Sequence, residues 1–486
     1  MNSIIKHKFD NGLRLVFQER KETDISSISI FVNVGSVYET NELNGVSHFI
    51  EHMIFKGTPK LKSSKEISKI FDSIGAYFNA YTDKNVTCYI VKTSSDYLEK
   101  SLNTLSDMLL NSVMDKIEFE KEKKVVVEEI NKAKDNTESI INDLIFNLIF
   151  KGLNLAKPVG GKDDEILNYD YNKTIEYVNY FYRPENMVIS VCSNISFKKI
   201  CNIVNSLEVA KKKGPQYSKL LLKNNHKKFT NNNKLLKQKL IRLSFINRDL
   251  EQTHIAFGFR TCNVYSADVY YLDILKIVLA GNMSSRLFIE LREKNGLTYN
   301  VSIDNSEYIK SGLFCILTSV DKHKLIKYYH DNFDNHNFKK NIMRGGKKLK
   351  HKKGALPLIV NSINKLLKDG ITQEELDKAK GFIKGTYSLE VEDALNITDY
   401  NGKSIILDKK KLISINELYK LKYKNITVSQ INKAIKKYFK VNNLSVIFIG
   451  KDINKLENIS EIKTEIAKLN NFNDSKFKIF NLKEYI

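Results

Sequence analysis

An α+β chain of two related domains, each a mostly antiparallel sheet covered by helices, is what the sequence predicts. Three observations carry this. Alternating stretches such as Ser27–Val34 (SISIFVNV) read as half-buried strands. Between them lie amphipathic segments at helical spacing. The order also repeats: Thr253–Phe259 (THIAFGF) restates the pattern of Ser27–Val34, the helical stretch Tyr270–Leu279 follows it, and Tyr299–Val320 echoes Tyr77–Lys92. With 486 residues, 42% of them hydrophobic, the chain can fill more than one core.

Residues 4–19 alternate around Asn11-Gly12, a strong hairpin signal. Ser63-x-x-Glu66 is a capping box before a helix with Ile67, Ile70, Phe71 and Ile74 on one face, closed by Gly75. Tyr77–Lys92 reads as one or two strands. Tyr97–Val113 is an amphipathic helix through Leu98, Leu102, Leu105 and Leu109. Lys116–Phe150 has no Pro or Gly and reads as one long helix. Residues 211–248, rich in Lys and Asn, read as a linker with a possible strand. The expected domains are therefore 1–210 and 249–450, the second carrying a basic surface insertion at 331–354. Residues 451–486 read as a polar helical tail.

The chemistry concentrates in Gly45–Thr58 (GVSHFIEHMIFKGT), which contains His48-x-x-Glu51-His52. On a helix these three positions share one face. Two His four apart can bind one zinc ion, and Glu51 can reach a water at the open position; this is the inverted zinc-peptidase order. Chance supplies about 0.02 such motifs in a chain of this composition. Apolar Val46, Phe49, Ile50 and Met53 flank the polar face, as in a helix buried on one side. The second domain has no such pair, so one metal site per chain is expected.

A catalytic zinc takes three protein ligands and a water, and His₂Glu is a known set. The helical stretch after Lys116 offers Glu122, Glu128 and Glu129. Glu122 and Glu129 share a face; Glu128 points about 100° away. Spacing alone does not choose between Glu128 and Glu129.

HFIEHMIFKGT, IGAYFNAYT and FEKEKKVVVEEI together resemble the pitrilysin/insulinase family of zinc metallopeptidases, and are similar to bacterial processing proteases and the β subunit of mitochondrial processing peptidase. The resemblance covers about 1–205 and 250–450. It implies Glu129 as third ligand to Zn²⁺, one per chain, and Glu122 as accessory acid beside the catalytic Glu51. It also implies that Asn79, Ala80, Tyr81 and Thr82 form an edge strand that pairs with the substrate backbone. Such an edge binds extended peptides with little sequence demand. A second anchor, GNMSSRLFIELREKNGLTYNVS at Gly281–Ser302, implies that Arg292 and Tyr299 hold the substrate carbonyl. The family chamber takes four such domains and this chain supplies two, half of a clamshell. A homodimer, or a heterodimer with a related subunit, is implied, with Arg292 and Tyr299 facing the partner's zinc. The expected activity is zinc-dependent endopeptidase action on peptides or unfolded, presequence-like segments. The alternative is a non-catalytic or partner-dependent subunit; such relatives have usually lost metal residues, and this chain keeps them.

The net charge of +22 accompanies abundant Lys, Asn and Ile and an absence of Trp, a composition expected of an AT-rich genome. Aromatic stacking platforms do not interleave with the basic runs, so a nucleic-acid partner is not expected. The five cysteines form no CxxC, which suits a reducing compartment. There is no signal-peptide h-region and no run of 18 apolar residues, so a cytoplasmic protein without a membrane span is expected.

Overall fold

The computed structural model describes residues 4–211, 238–328, 352–408, 412–469 and 477–482, and the backbone of 343–344 and 347–348. Ile4–Lys8 (β1) and Arg14–Glu19 (β2) pair as the hairpin around Asn11-Gly12. Gly12 there takes φ +89°, a conformation that favours glycine. Ile25–Val32 (β3) leads to Val46–Ile54 (α1), the helix of the two histidines. Ser63 opens Ser64–Asp72 (α2), its Oγ accepting the Glu66 N–H at 3.3 Å. Tyr77–Thr82 (β4), Thr87–Ser94 (β5) and Leu98–Asn111 (α3) follow.

The stretch expected as one helix over 116–150 is two: Lys116–Asp135 (α4) and Thr137–Ile149 (α5). Asn136 separates them. Its side-chain oxygen accepts the N–H groups of Glu138 and Ser139 at 2.9 and 3.3 Å, an N-cap that starts a new helix. Met187–Ser193 (β6) is the last strand of the first half, and the helices Phe197–Ser206 and Glu208–Lys211 follow it.

The second half runs Ile241–Asn247 (β7), Gln252–Thr261 (β8), Asp268–Ala280 (α6), Val301–Glu307 (β9), Gly312–Asp321 (β10), Ala394–Ile406 (α7), Leu444–Gly450 (β11) and Phe477–Ile479 (β12). The span read as linker therefore ends in a sheet strand, β7, most of whose side chains are buried; 212–237 lie outside the described residues. So does most of the basic insertion, of which Lys352–Lys353 pair with Lys327–Tyr328. The polar tail is helical over Leu456–Ala467 but also supplies β12.

Two six-stranded sheets result. Their orders are β1-β2-β6-β3-β5-β4 and β12-β7-β11-β8-β10-β9. The pairings from the second strand onward are the same in both: parallel for β2–β6 and β7–β11, antiparallel for the rest. The duplication faintly visible in sequence is thus a duplication of topology. Only the first edge differs, where β12 joins β7 in parallel and β1 joins β2 antiparallel.

The chain forms two units that interleave along the sequence: the described residues of Met1–Asp135, Phe150–Leu235 and Ile383–Lys424, and those of Asn136–Ile149, Leu236–Phe382 and Asn425–Ile486. Each sheet takes a helix from the other half of the chain. In the first unit α7 packs on β3 and β6, with Thr398 Oγ1 at 3.0 and 2.9 Å from the hydroxyls of Ser27 and Ser29. Gly402 lets that helix meet Phe31: a Cβ there would lie 2.1 Å from the ring. In the second unit α5 packs on β8 and β11, and Gly258 leaves room for Ile145 and Ile149. Arg242 donates to the carbonyls of Leu148 and Ile149 at the end of α5. The core of the first unit lies between the other face of its sheet and α1, α2 and α3, and it includes Phe49, Met53, Phe71, Leu102 and Tyr177.

Candidate metal centre

The first three donors come from α1 and α4. Both helices belong to the first unit, and α1 lies against α4, β4 and β5. Phe49, Ile50 and Met53 are buried, Phe49 against Phe119 of α4, and on the other side of α1 His48 and His52 lie beside Glu129 of α4. Ligand atoms of His48, His52 and Glu129 lie within 4.8 Å of one another. His52 Nε2 is 3.3 Å from Glu129 Oε2, and His48 Nε2 is 3.8 Å from Glu129 Oε1. Glu128 is exposed and outside this group, the one such cluster among the described residues.

Behind the donors stands Glu122, whose side chain is 3% exposed. Its Oε1 lies 2.9 Å from His52 Nδ1, and its other oxygen pairs with Lys56. With Nδ1 so engaged, Nε2 is the His52 nitrogen that faces Glu129, the one a metal would take in place of a proton. The donor set, two imidazoles and a carboxylate converging on one point, fits a zinc ion.

Electrostatics follow burial and these partners. Burial, helped by His52, pushes the His48 imidazole down to about 4, against the pull of Glu129. For His52 burial acts the same way but is outweighed by Glu122 and Glu129, so its proton is held more tightly than in water. Burial opposes ionisation of Glu122, yet His52 and Lys56 hold its carboxyl below the usual range. Burial raises Glu51, partly countered by a hydrogen bond from Thr82 Oγ1 to Glu51 Oε2 at 2.6 Å.

β4 is the free edge of its sheet. The Ala80 N–H points away from β5, accepted by Asn79 Oδ1 at 2.8 Å, and Asn79 Nδ2 donates to Tyr77. Phe78 and Ala80 pack on the core face. Tyr81 points to the opposite face and donates to Asp399 of α7 at 2.5 Å. Arg292 and Tyr299 lie in the second unit, where they pair: the guanidinium sits 4.9 Å from the ring centroid and donates to the Tyr299 carbonyl at 3.2 Å.

Three contributions were not visible in the sequence reading. Lys56 follows His52 by one turn, a spacing that signals a shared face but not a shared partner. The Thr82 side chain grips Glu51 across 31 positions. Glu39 precedes α1 and accepts the N–H groups of Gly45 and Ser47 at 2.6 and 2.9 Å; no local motif announces it.

Comparison with known proteins gives the family. Residues 14–163 match the family described as Insulinase (Peptidase family M16), and 168–381 match Peptidase M16 inactive domain. A Bacillus subtilis protein named as the uncharacterized zinc protease YmxG is 32% identical over 418 residues, 85% of this chain and 92% of that one. The chain belongs to the M16 (insulinase) peptidase family. A Rickettsia felis relative, also named as an uncharacterized zinc protease, is 34% identical over 67% of this chain and 75% of its own. Among solved structures, a protease from Helicobacter pylori covers 93% of this M16 chain and 100% of itself at TM-score 0.78 and 22% identity, a likeness of fold. The first half of the periplasmic protease PqqL from Escherichia coli covers 99% and 98% at TM-score 0.71 and 16% identity. No helix among the described residues is long and apolar enough to cross a membrane.

Proposed function

We propose that this M16 chain is a zinc-dependent endopeptidase acting on peptides and unfolded segments. The observation that carries the reading is the convergence of His48, His52 and Glu129 with Glu51 beside them on α1. His48, His52 and Glu129 would hold Zn²⁺, and the ion supplies Lewis acidity toward water and the scissile carbonyl. Thr82 fixes Oε2 of Glu51, leaving Oε1 to take the proton of the attacking water and deliver it to the leaving amine. Glu122 orients the His52 ring, and Lys56 orients Glu122.

The edge of β4 would receive an extended substrate as an added strand, with the Ala80 N–H exchanged from Asn79 to a substrate carbonyl. That mode reads backbone rather than sequence, which favours unfolded segments over folded proteins. Arg292 and Tyr299 would hold the substrate carbonyl from a second copy or a related subunit, completing the chamber as a dimer. The test is cleavage of a quenched-fluorescent library of unstructured peptides by the purified protein. Turnover lost with a chelator and restored by Zn²⁺ supports the reading; zinc binding without turnover on any peptide supports a non-catalytic subunit instead.

A further inference from the structure

We propose that Glu39 is a positioning residue for the metal centre: its buried carboxylate fixes the first turn of α1 and, through that turn, His48. The proposal rests on the zinc-peptidase reading above.

A helix start leaves N–H groups without intrahelical partners, and these are normally capped by the side chain of the N-cap residue. The N-cap of α1 is Gly45, which has no side chain and takes φ +88°. It cannot gain one: a Cβ would lie 2.6 Å from the Gly160 carbonyl oxygen and from Gly161 Cα. The loop at 160–161 thus occupies the space where a local cap would stand. Glu39 supplies the cap from outside the helix. Its Oε2 accepts from Gly45 N at 2.6 Å and its Oε1 from Ser47 N at 2.9 Å.

Two bonds from one rigid carboxylate to the N-cap and the second helical residue fix both the height and the rotation of the first turn. His48 is the next residue. Glu39 is itself held: it is 2% exposed, and its main-chain carbonyl accepts from Asn154 Nδ2 at 2.6 Å. The turn is braced on its other sides, where Ser47 Oγ meets Tyr177 OH at 3.0 Å and Tyr169 OH donates to the Asn44 carbonyl. A buried carboxylate is a costly cap. Its placement makes sense where the start of the helix must not drift, because His48 and His52 have to meet Glu129 of another helix at one point.

The experiment uses the full chain as wild type, Glu39→Gln, Glu39→Ala and, as a control in a separate apolar cluster, Ile397→Val. Zinc affinity is read by chelator competition with the metal alone. The visible spectrum of the cobalt-substituted protein reads donor geometry, and peptide cleavage gives kcat and KM separately. The expected result is a fall in zinc affinity of about tenfold for Glu39→Gln, more for Glu39→Ala, within the range usual for groups that orient ligands. The cobalt spectrum shifts, kcat falls, KM stays, and Ile397→Val matches wild type. If Glu39→Ala does not fold, Glu39→Gln decides, since it is isosteric and keeps an acceptor. Zinc affinity within about twofold of wild type and an unchanged cobalt spectrum in Glu39→Gln would overturn the proposal. A wild type that binds no zinc would instead overturn the metal-centre reading beneath it.

Discussion

Glu122 Oε1 lies 2.9 Å from His52 Nδ1, on the side of the imidazole away from Glu129. One acid thereby sets the tautomer of a ring whose other nitrogen faces the proposed ion. Glu122→Gln should fold normally and lose zinc affinity by about 10–100-fold. Chelator competition measures this; unchanged affinity would reduce Glu122 to a partner of Lys56.

Glu128 and Glu129 differ by one position and by their place in the structure. Glu129→Gln should abolish stoichiometric zinc binding, whereas Glu128→Gln should leave affinity within about twofold of wild type. Metal analysis after gel filtration separates them. Zinc loss in the Glu128 variant would move the third ligand to the neighbouring turn face.

Zinc binding should strengthen as pH rises. His52 holds its proton more tightly than a free imidazole, and the ion must displace it. Below the His52 titration, affinity should fall about tenfold per pH unit, one proton being released per ion. His48, at about 4, is already neutral there and adds no further slope until strongly acid solution. A flat affinity profile between pH 5.5 and 8 would contradict this.

The exchanged helix α7 meets its sheet where glycine is required. Gly402→Ala places a methyl 2.1 Å from Phe31 and should cost about 1–3 kcal/mol as helix and strand move apart. Urea unfolding of the variant against wild type tests it; equal stability would mean the contact relaxes freely.

Proline is tolerated on an edge strand where its N–H faces outward. Ala80→Pro should therefore fold and keep zinc but raise KM on extended peptides several-fold, because the edge loses a donor. An unchanged KM would place the substrate elsewhere.

What the sequence showed and what it hid have physical reasons. His48, Glu51 and His52 were legible because one helical turn brings them together. Alternation and the Asn11-Gly12 turn likewise revealed β1, β2 and β3, and marked Tyr77–Lys92, which holds β4 and most of β5, as one or two strands. Asn136 was harder, since Asn serves equally as a helix interior residue or a cap, and only its side-chain bonds decide. The exchange of α5 and α7 between halves was hidden, because apolar spacing tells which face of a helix is covered but not by which sheet. Glu39 and the bond from Thr82 to Glu51 were hidden for the same reason: these partners are set by tertiary approach.

The central claim is that Glu51 acts as base beside a zinc ion held by His48, His52 and Glu129. The most direct measurement compares wild type with Glu51→Gln for zinc content and peptide cleavage together. The account predicts equal zinc in both proteins, with cleavage by wild type and none above background by the variant. Cleavage by Glu51→Gln at the wild-type rate would contradict it.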